Sequence, residues 1–145
     1  MKSILNPKSI MRLKSLFENK PSIVAAYIFG SYSKGKQTAK SDLDIGLICT
    51  DKAAFNQFKM SLEIDNIIRF PTVDLVICDL DSDPFLLSNI LNGVVVYQKS
   101  VTERSTYEAT ILKLIEDNNH YQKIKDYYLN RSFKEGIYVN RQKDC

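Results

Sequence analysis

Residues 23–29 form an uninterrupted apolar run that ends abruptly at Gly30-Ser31. This length is typical of a strand buried on both faces, and it is far short of the ~20 residues that a membrane-spanning helix needs. The run therefore predicts a buried strand. Composition predicts further strands at 42–49, 72–78 and, as a short edge strand, 94–97.

Helical patterns separate these strands. Apolar residues at helical spacing predict a first helix over 9–19, and Thr50-Asp51 reads as the cap of a second helix that runs from about 52 to 69. In the second helix we expect four apolar side chains to face inward. They are Phe55, Phe58, Met60 and Leu62.

Two more helices are predicted in the second half of the chain. An aspartate followed by a proline is typical of a helix start, so Asp83-Pro84 predicts a short helix, and Gly93 marks its end. Ser100 and Glu103 form a capping box, behind which apolar residues keep a three-or-four spacing to about residue 130. Strands that alternate with helices predict an α/β (α+β) layer fold with a long C-terminal helix.

The length of 145 residues is that of one domain. We expect a sheet-bearing body over 1–99, followed by a C-terminal helix and polar tail over 100–145 that pack on the same body or on a partner. The N-terminus lacks the apolar segment of a signal peptide, and the three cysteines share no disulfide-framework or metal-ligand spacing. We therefore expect a soluble, cytoplasmic protein with Cys49 and Cys78 as buried thiols.

The formal net charge of +3 is unevenly distributed. Residues 1–41 carry eight basic side chains and one acidic, whereas residues 42–98 carry three basic and nine acidic. A basic segment that runs directly into an acidic one suggests an anion site beside a cation site, although an ordinary soluble surface can give the same count.

Three carboxylates lie in strand-like segments where a buried core would exclude them. Asp42 and Asp44 are two residues apart on one predicted strand, so both point to the same side, and Asp74 interrupts another strand. Like charges this close favour a bound cation, and Mg²⁺ prefers oxygen ligands that leave room for water and phosphate. Taken alone, such a pair could equally cap a loop or contact lysines.

The connector between the first two strands has the features of a phosphate site. Glycine at position 30 lets backbone N–H groups approach a phosphate, and Ser31 adds a hydroxyl donor. The basic side chains Lys34, Lys36 and Lys40 can neutralise a triphosphate, although at least one of them is expected to be an ordinary surface residue.

These residues resemble a known signature. Gly30-Ser31, ten further residues and then Asp42-Leu43-Asp44 are similar to the G-S-x10-D-x-D motif of the DNA polymerase β-like nucleotidyltransferase superfamily. Gly35 and Ser41 also match its minimal nucleotidyltransferase (MNT) branch, and Asp74 falls at the position of the third aspartate. The resemblance covers about residues 9–98. It implies a small mixed sheet backed by helices.

The resemblance also implies roles for the motif residues. Asp42, Asp44 and Asp74 would be the catalytic, metal-binding carboxylates for two Mg²⁺ ions. The nucleotide donor ATP would be held by the residues of the connector. These are Gly30, Ser31, Lys34, Lys40 and Ser41.

The long C-terminal helix resembles, more loosely, that of MNT antitoxins from HEPN–MNT toxin–antitoxin pairs. This implies transfer of AMP from ATP to a tyrosine of a HEPN ribonuclease in a hetero-oligomer, with no membrane or direct nucleic-acid binding. Two alternatives stay open. The chain could neutralise its partner by binding alone, or transfer a nucleotide to a small hydroxylated molecule such as an aminoglycoside.

Overall fold

The computed structural model describes residues 6–30, 43–68 and 73–134, with side chains given up to residue 130. Within them, four strands form one sheet in the order β3-β2-β1-β4. The strands are β1 (Ile23–Phe29), β2 (Leu43–Cys49), β3 (Val73–Cys78) and β4 (Val94–Gln98). Strand β1 is antiparallel to β2 and β4, whereas β2 and β3 are parallel, so the sheet is mixed, as expected.

Helices cover both faces of the sheet. They are α1 (Pro7–Glu18), α2 (Gln57–Asp65), α3 (Pro84–Leu91) and α4 (Val101–Lys134). Side chains alternate along β1, so that Ile28 packs with the α1 and α2 side while Tyr27 packs with the α3 and α4 side. The apolar run of β1 is thus buried on both faces, which explains why it shows no polar alternation.

Helix α1 begins two residues before its predicted start. The side chain of Asn6 accepts a hydrogen bond from the backbone N–H of Ser9 at 2.8 Å, and Pro7 occupies the first turn. Asparagine followed by proline is a favourable helix start, because the cap satisfies a free N–H and proline has none to satisfy. Leu13 and Phe17 bury the inner face of this helix.

The predicted helix over 52–69 is wrong in its start, in its buried face and in its end, since α2 stops at Asp65. Asp51 accepts the N–H of Ala53 and closes only a 3₁₀ turn, and Asn56 then caps α2 through the N–H of Lys59. Phe58 is 73% exposed.

The rotation of α2 explains which side chains it buries. The side chain of Gln57 donates to the carbonyl of Leu75 in β3 at 2.9 Å and fixes the first turn against the sheet. Met60 and Ile64, one turn apart, are consequently buried, while Leu62 is 48% exposed. Of the four expected inward side chains, only Met60 and the partly buried Phe55 pack against the core.

Helix α3 and strand β4 match their predicted positions. Asp83 accepts the N–H of Phe85 at 3.0 Å and Pro84 begins α3, while Asn92 follows its last residue. Glycine is required at position 93, because a Cβ there would overlap the carbonyl oxygen of Ile28. The end of α3 is therefore held directly against the end of β1.

Helix α4 starts at the predicted cap, where Ser100 Oγ accepts the N–H of Glu103 at 3.0 Å. Its 34 residues exceed the predicted length and correspond to about 50 Å. Ile111 is fully buried against α3 and β1, but from Asn119 to Asn130 every side chain is exposed. Among the described residues, no helix combines the length and apolarity needed to cross a membrane.

Candidate active site

Two of the predicted carboxylates are direct neighbours. Asp44 of β2 pairs in register with Asp74 of β3, one residue after each strand begins. Adjacent strands lie about 4.8 Å apart, and paired residues of parallel strands point to the same face. Asp44 is half-buried and Asp74, on the edge strand, is exposed. The structure therefore places both carboxylates on the α3 and α4 face, at one end of the sheet.

Gly30 brings the end of β1 to the same place. Its φ of +74° lies in the left-handed region, where residues with a Cβ are disfavoured. A Cβ at this position would overlap Oδ2 of Asp44. Glycine is thus needed twice, once for the turn and once for the close approach of backbone to carboxylate.

The strand register places a residue of β1 in line with the two carboxylates. Phe29 of β1 pairs with Asp44, which pairs with Asp74, so the three side chains share one face. Phe29 packs against the α3 and α4 core and contacts Gly93 at the end of α3. The carboxylates therefore lie at the boundary between a packed apolar core and open solvent.

The remaining predicted site residues lie outside the described residues. They are Ser31, Lys34, Lys36, Lys40, Ser41 and Asp42. Within the described part of the chain, no group of three or more His, Cys, Asp or Glu side chains is placed to hold a metal ion. Asp44 and Asp74 are the two predicted ligands that the structure brings together.

The pair has the donor chemistry of a divalent-cation site. Carboxylate oxygens are the ligands that Mg²⁺ prefers, and it commonly uses one or two of them together with substrate phosphates. Because Gly30 has no Cβ, the backbone of this residue, and not a side chain of its own, lies beside Asp44 Oδ2. The residues present therefore fit a magnesium ion that also contacts a phosphate.

A polar network between α4 and the sheet was not predicted. The hydroxyl of Tyr27 donates to Glu108 Oε1 at 2.6 Å, and Arg104 pairs with the same oxygen at 2.9 Å. Arg104 also donates to Gln98 Oε1 in β4 at 2.7 Å. Burial and the hydrogen bond to Glu108 raise the pKa of Tyr27 well above its usual value. The available signal was the one hydroxyl in an otherwise wholly apolar strand, since a buried hydroxyl needs a partner.

The two buried thiols are placed away from the carboxylate pair. Cys49 and Cys78 are free and buried, as expected. They are the last residues of β2 and β3, whereas the two carboxylates lie near the first residues of these strands. Cys49 Sγ donates to the carbonyl of Cys78 at 3.2 Å. Burial raises the pKa of Cys49 to about 11, so this thiol is a packing group rather than a nucleophile.

The sequence is similar to that of a known enzyme. Protein adenylyltransferase MntA of Shewanella oneidensis is 33% identical over 99 residues. The alignment covers 68% of this chain and 62% of that protein, so the chain spans less than two thirds of the relative's length.

The fold is similar to that of chains in toxin–antitoxin complexes. A chain from a toxin–antitoxin crystal structure with AMP-PNP has a TM-score of 0.59 at 22% identity, covering 89% of this chain and 99% of that one. A chain from the complex of tri-AMPylated Shewanella oneidensis HEPN toxin with its MNT antitoxin has a TM-score of 0.54 at 18% identity, covering 87% and 96%.

The carboxylate pair and Gly30 all lie within a region that matches a family model. The model, described as polymerase beta, nucleotidyltransferase, matches residues 11–102. That region contains all four strands and, apart from the first turn of α1, the first three helices. Since the match covers well over half of the chain, the protein belongs to the polymerase β nucleotidyltransferase family.

Proposed function

We propose that this protein is an antitoxin-type protein adenylyltransferase. It transfers AMP from ATP to a tyrosine of a HEPN-family ribonuclease toxin, with which it forms a hetero-oligomer, and it releases pyrophosphate. The observation that carries this proposal is the pairing of Asp44 with Asp74 beside Gly30. Membership of the nucleotidyltransferase family and the 33% identity to MntA support it.

We assign the binding of the nucleotide donor, ATP, to the connector between β1 and β2 and to the three carboxylates. We assign the triphosphate to Gly30, Ser31, Lys34, Lys40 and Ser41. Asp42, Asp44 and Asp74 would hold two magnesium ions, which when bound neutralise charge on the phosphates and on the leaving pyrophosphate.

The acceptor side is assigned to Asp74. It is exposed and lies on the edge strand, where a hydroxyl from another molecule can reach it. The tyrosine oxygen forms a bond to the α-phosphorus while the bond to the β-phosphate oxygen breaks. The phenolic proton passes to the Asp74 carboxylate, as general base. We also propose a cytoplasmic location, which agrees with the free thiols of Cys49 and Cys78.

Intact-mass measurement tests the transfer. The purified protein is incubated with ATP, Mg²⁺ and the HEPN toxin of Shewanella oneidensis, and we expect the toxin to gain the mass of one AMP residue per group transferred. Asp44→Asn should slow labelling at least about 100-fold, the range for loss of one electrostatic stabiliser, with an unchanged circular dichroism spectrum. Asp117→Asn, an exposed carboxylate on α4, is the matched control and should label at the wild-type rate.

Three other results would contradict the proposal. Binding of the toxin without any mass change would indicate neutralisation by occlusion. Labelling of an aminoglycoside such as kanamycin, with none of the toxin, would indicate a small-molecule acceptor. Full labelling by Asp44→Asn would reject the assigned chemistry.

A further inference from the structure

The far end of α4 extends past the end of the sheet that carries the carboxylates. We propose that residues 119–134, termed the distal segment, form the docking surface for the acceptor protein and hold it beside Asp44 and Asp74. This inference rests on the proposed function and adds to it a surface that lies outside the region matched by the family model.

The direction of α4 follows from two hydrogen bonds. Arg104 contacts Gln98, which pairs with Ala25 of β1, and Glu108 contacts Tyr27, two residues further along the same strand. Four helical residues rise about 6 Å and two strand residues about 6.6 Å, so α4 and β1 advance together. Helix α4 therefore runs toward the Gly30 end of the sheet.

The burial of α4 fixes where it leaves the body. Gly30 lies three residues beyond Tyr27, about 10 Å, which corresponds to about seven helical residues beyond Glu108. Ile115 is accordingly the last residue of α4 that packs against the core, and all side chains from Asn119 to Asn130 are exposed. The distal segment is about 24 Å long, and its end lies about 28 Å past the carboxylate end of the sheet.

The distal segment exposes large apolar side chains on a helix that nothing else in the described chain supports. Five of these side chains are between 37% and 63% exposed. They are Tyr121, Ile124, Tyr127, Tyr128 and Leu129. An isolated helix of this length is marginally stable in water. Tyr121, Ile124 and Tyr128 have the spacing that places side chains on one helix face, and an exposed apolar face is typical of a protein-binding site.

A second copy of this chain is a poor occupant. Residues at seven-residue spacing, Leu114, Tyr121 and Tyr128, are apolar, but the second position of such a repeat is mostly polar. Three residues on lie Asp117, Ile124 and Arg131, and four residues after the first two lie Asn118 and Lys125. Self-association as a coiled coil requires both positions to be apolar. The distal segment also carries four Lys and Arg against one Asp, so two copies would bring a net +3 against a net +3.

The chemistry of the surface favours a different protein with an acidic and apolar face. Tyrosine combines apolar area with a polar tip and is enriched at interfaces between separate proteins. The net +3 of the segment complements an acidic partner. The acceptor protein is the partner that the reaction brings to this end of the sheet, and binding on the distal segment would raise its local concentration at the site.

Paired variants in the full-length chain test the docking surface. Tyr121→Ala/Tyr128→Ala removes two exposed rings, and Asn119→Ala/Gln122→Ala removes two polar side chains that lie about 100° or more around the helix from them. Neither change touches the core, so circular dichroism should be unchanged. Binding to the Shewanella oneidensis HEPN toxin is measured by calorimetry, and transfer of AMP by intact mass.

The two readouts separate this inference from the proposed function. We expect the tyrosine variant to weaken toxin binding and raise KM for the toxin at least tenfold, the effect of about 1.4 kcal/mol at an interface anchor, with the control variant unchanged. Binding should also weaken as salt is raised.

Each other outcome has a defined meaning. Toxin binding that the tyrosine variant leaves unchanged, or no binding by the wild type, would overturn the docking surface. A dimer of this chain that the tyrosine variant dissolves would replace it with self-association. Loss of binding in the tyrosine variant, with no mass change in any sample, would support the docking surface and reject the transfer of AMP.

Discussion

At the scale of single residues, the geometry of the site depends on the absence of a Cβ at Gly30. The positive φ and the overlap that a Cβ would make with Asp44 Oδ2 are two separate penalties at one position. The first belongs to the backbone alone, and the second depends on the neighbouring side chain. They can therefore be separated by changing that neighbour.

A double-mutant cycle measures the two penalties. We expect Gly30→Ala to lower the free energy of unfolding by about 3 kcal/mol, roughly half or more of it from overlap with Asp44. In an Asp44→Ala background the same change should cost only about 1–1.5 kcal/mol, because the overlapping oxygen is gone. Urea unfolding of the four proteins gives the values, and equal penalties in both backgrounds would show that Asp44 is not in contact with this position.

Asp44 and Asp74 show how much of the candidate site could be predicted from the sequence. Both were found because a carboxylate in an apolar strand is costly, and spacing alone identified the motif around Asp44. Their direct pairing required the parallel register of β2 and β3, which no local pattern encodes. The sequence therefore marked both carboxylates as candidates, but it could not show that they lie side by side.

At the scale of elements, α2 and α4 show where sequence patterns are insufficient. In α2 the pairs Phe58/Leu62 and Met60/Ile64 both have helical spacing, and which pair is buried depends on how the helix packs against the sheet, where Gln57 contacts β3. In α4 the same apolar spacing continues from the buried half into the exposed half. Periodicity records an apolar face, but it does not record whether the chain itself covers that face.

The hydrogen bond between Tyr27 and Glu108 gives a prediction for β1 and α4. Tyr27→Phe should lower the free energy of unfolding by about 1.5–2 kcal/mol at neutral pH, the usual value of a bond to a charged group. Tyr107→Phe removes a hydroxyl from a partly buried ring on α4 and is the control. We expect this control to change stability by no more than about 0.5 kcal/mol, and equal losses in the two variants would contradict the assigned bond.

The same bond predicts a pH dependence. The pKa of Tyr27 is raised in the folded state above its usual 10.0, so its stabilising effect is complete below 10.0 and is lost as pH rises beyond that value. We expect the stability difference between wild type and Tyr27→Phe to shrink in urea titrations above pH 10.0. A difference that grows with pH in that range would contradict the assigned direction.

At the scale of the whole molecule, the body and the distal segment should behave as separate parts. Truncation after Asn118 removes only side chains that are exposed in the described part of α4, so we expect the free energy of unfolding to change by no more than about 0.5 kcal/mol. Truncation after Lys99 also removes Ile111 and the partner of Tyr27. That loss is about 5 kcal/mol or more, enough to abolish cooperative unfolding in a protein of ordinary stability.

These two truncations also test the predicted division at residue 99. If the chain ending at Lys99 unfolds cooperatively with wild-type stability, the body is complete without α4. If only the chain ending at Asn118 does so, the first half of α4 is part of the body. Circular dichroism and urea unfolding of both chains, with the full-length protein as reference, distinguish the two cases.

The last contact of α4 with the body makes the rest of the helix a rigid arm. From Ile115, the last residue of α4 that packs against the core, to Lys134 the helix measures about 29 Å, so a tilt of about 5° at that contact moves the end of the helix by about 2.5 Å. A displacement of about 1 Å at a reaction centre can slow transfer about 100-fold. If the acceptor protein docks on the distal segment as proposed, the packing of Tyr107, Ile111 and Ile115 against the body therefore sets how accurately that protein is positioned.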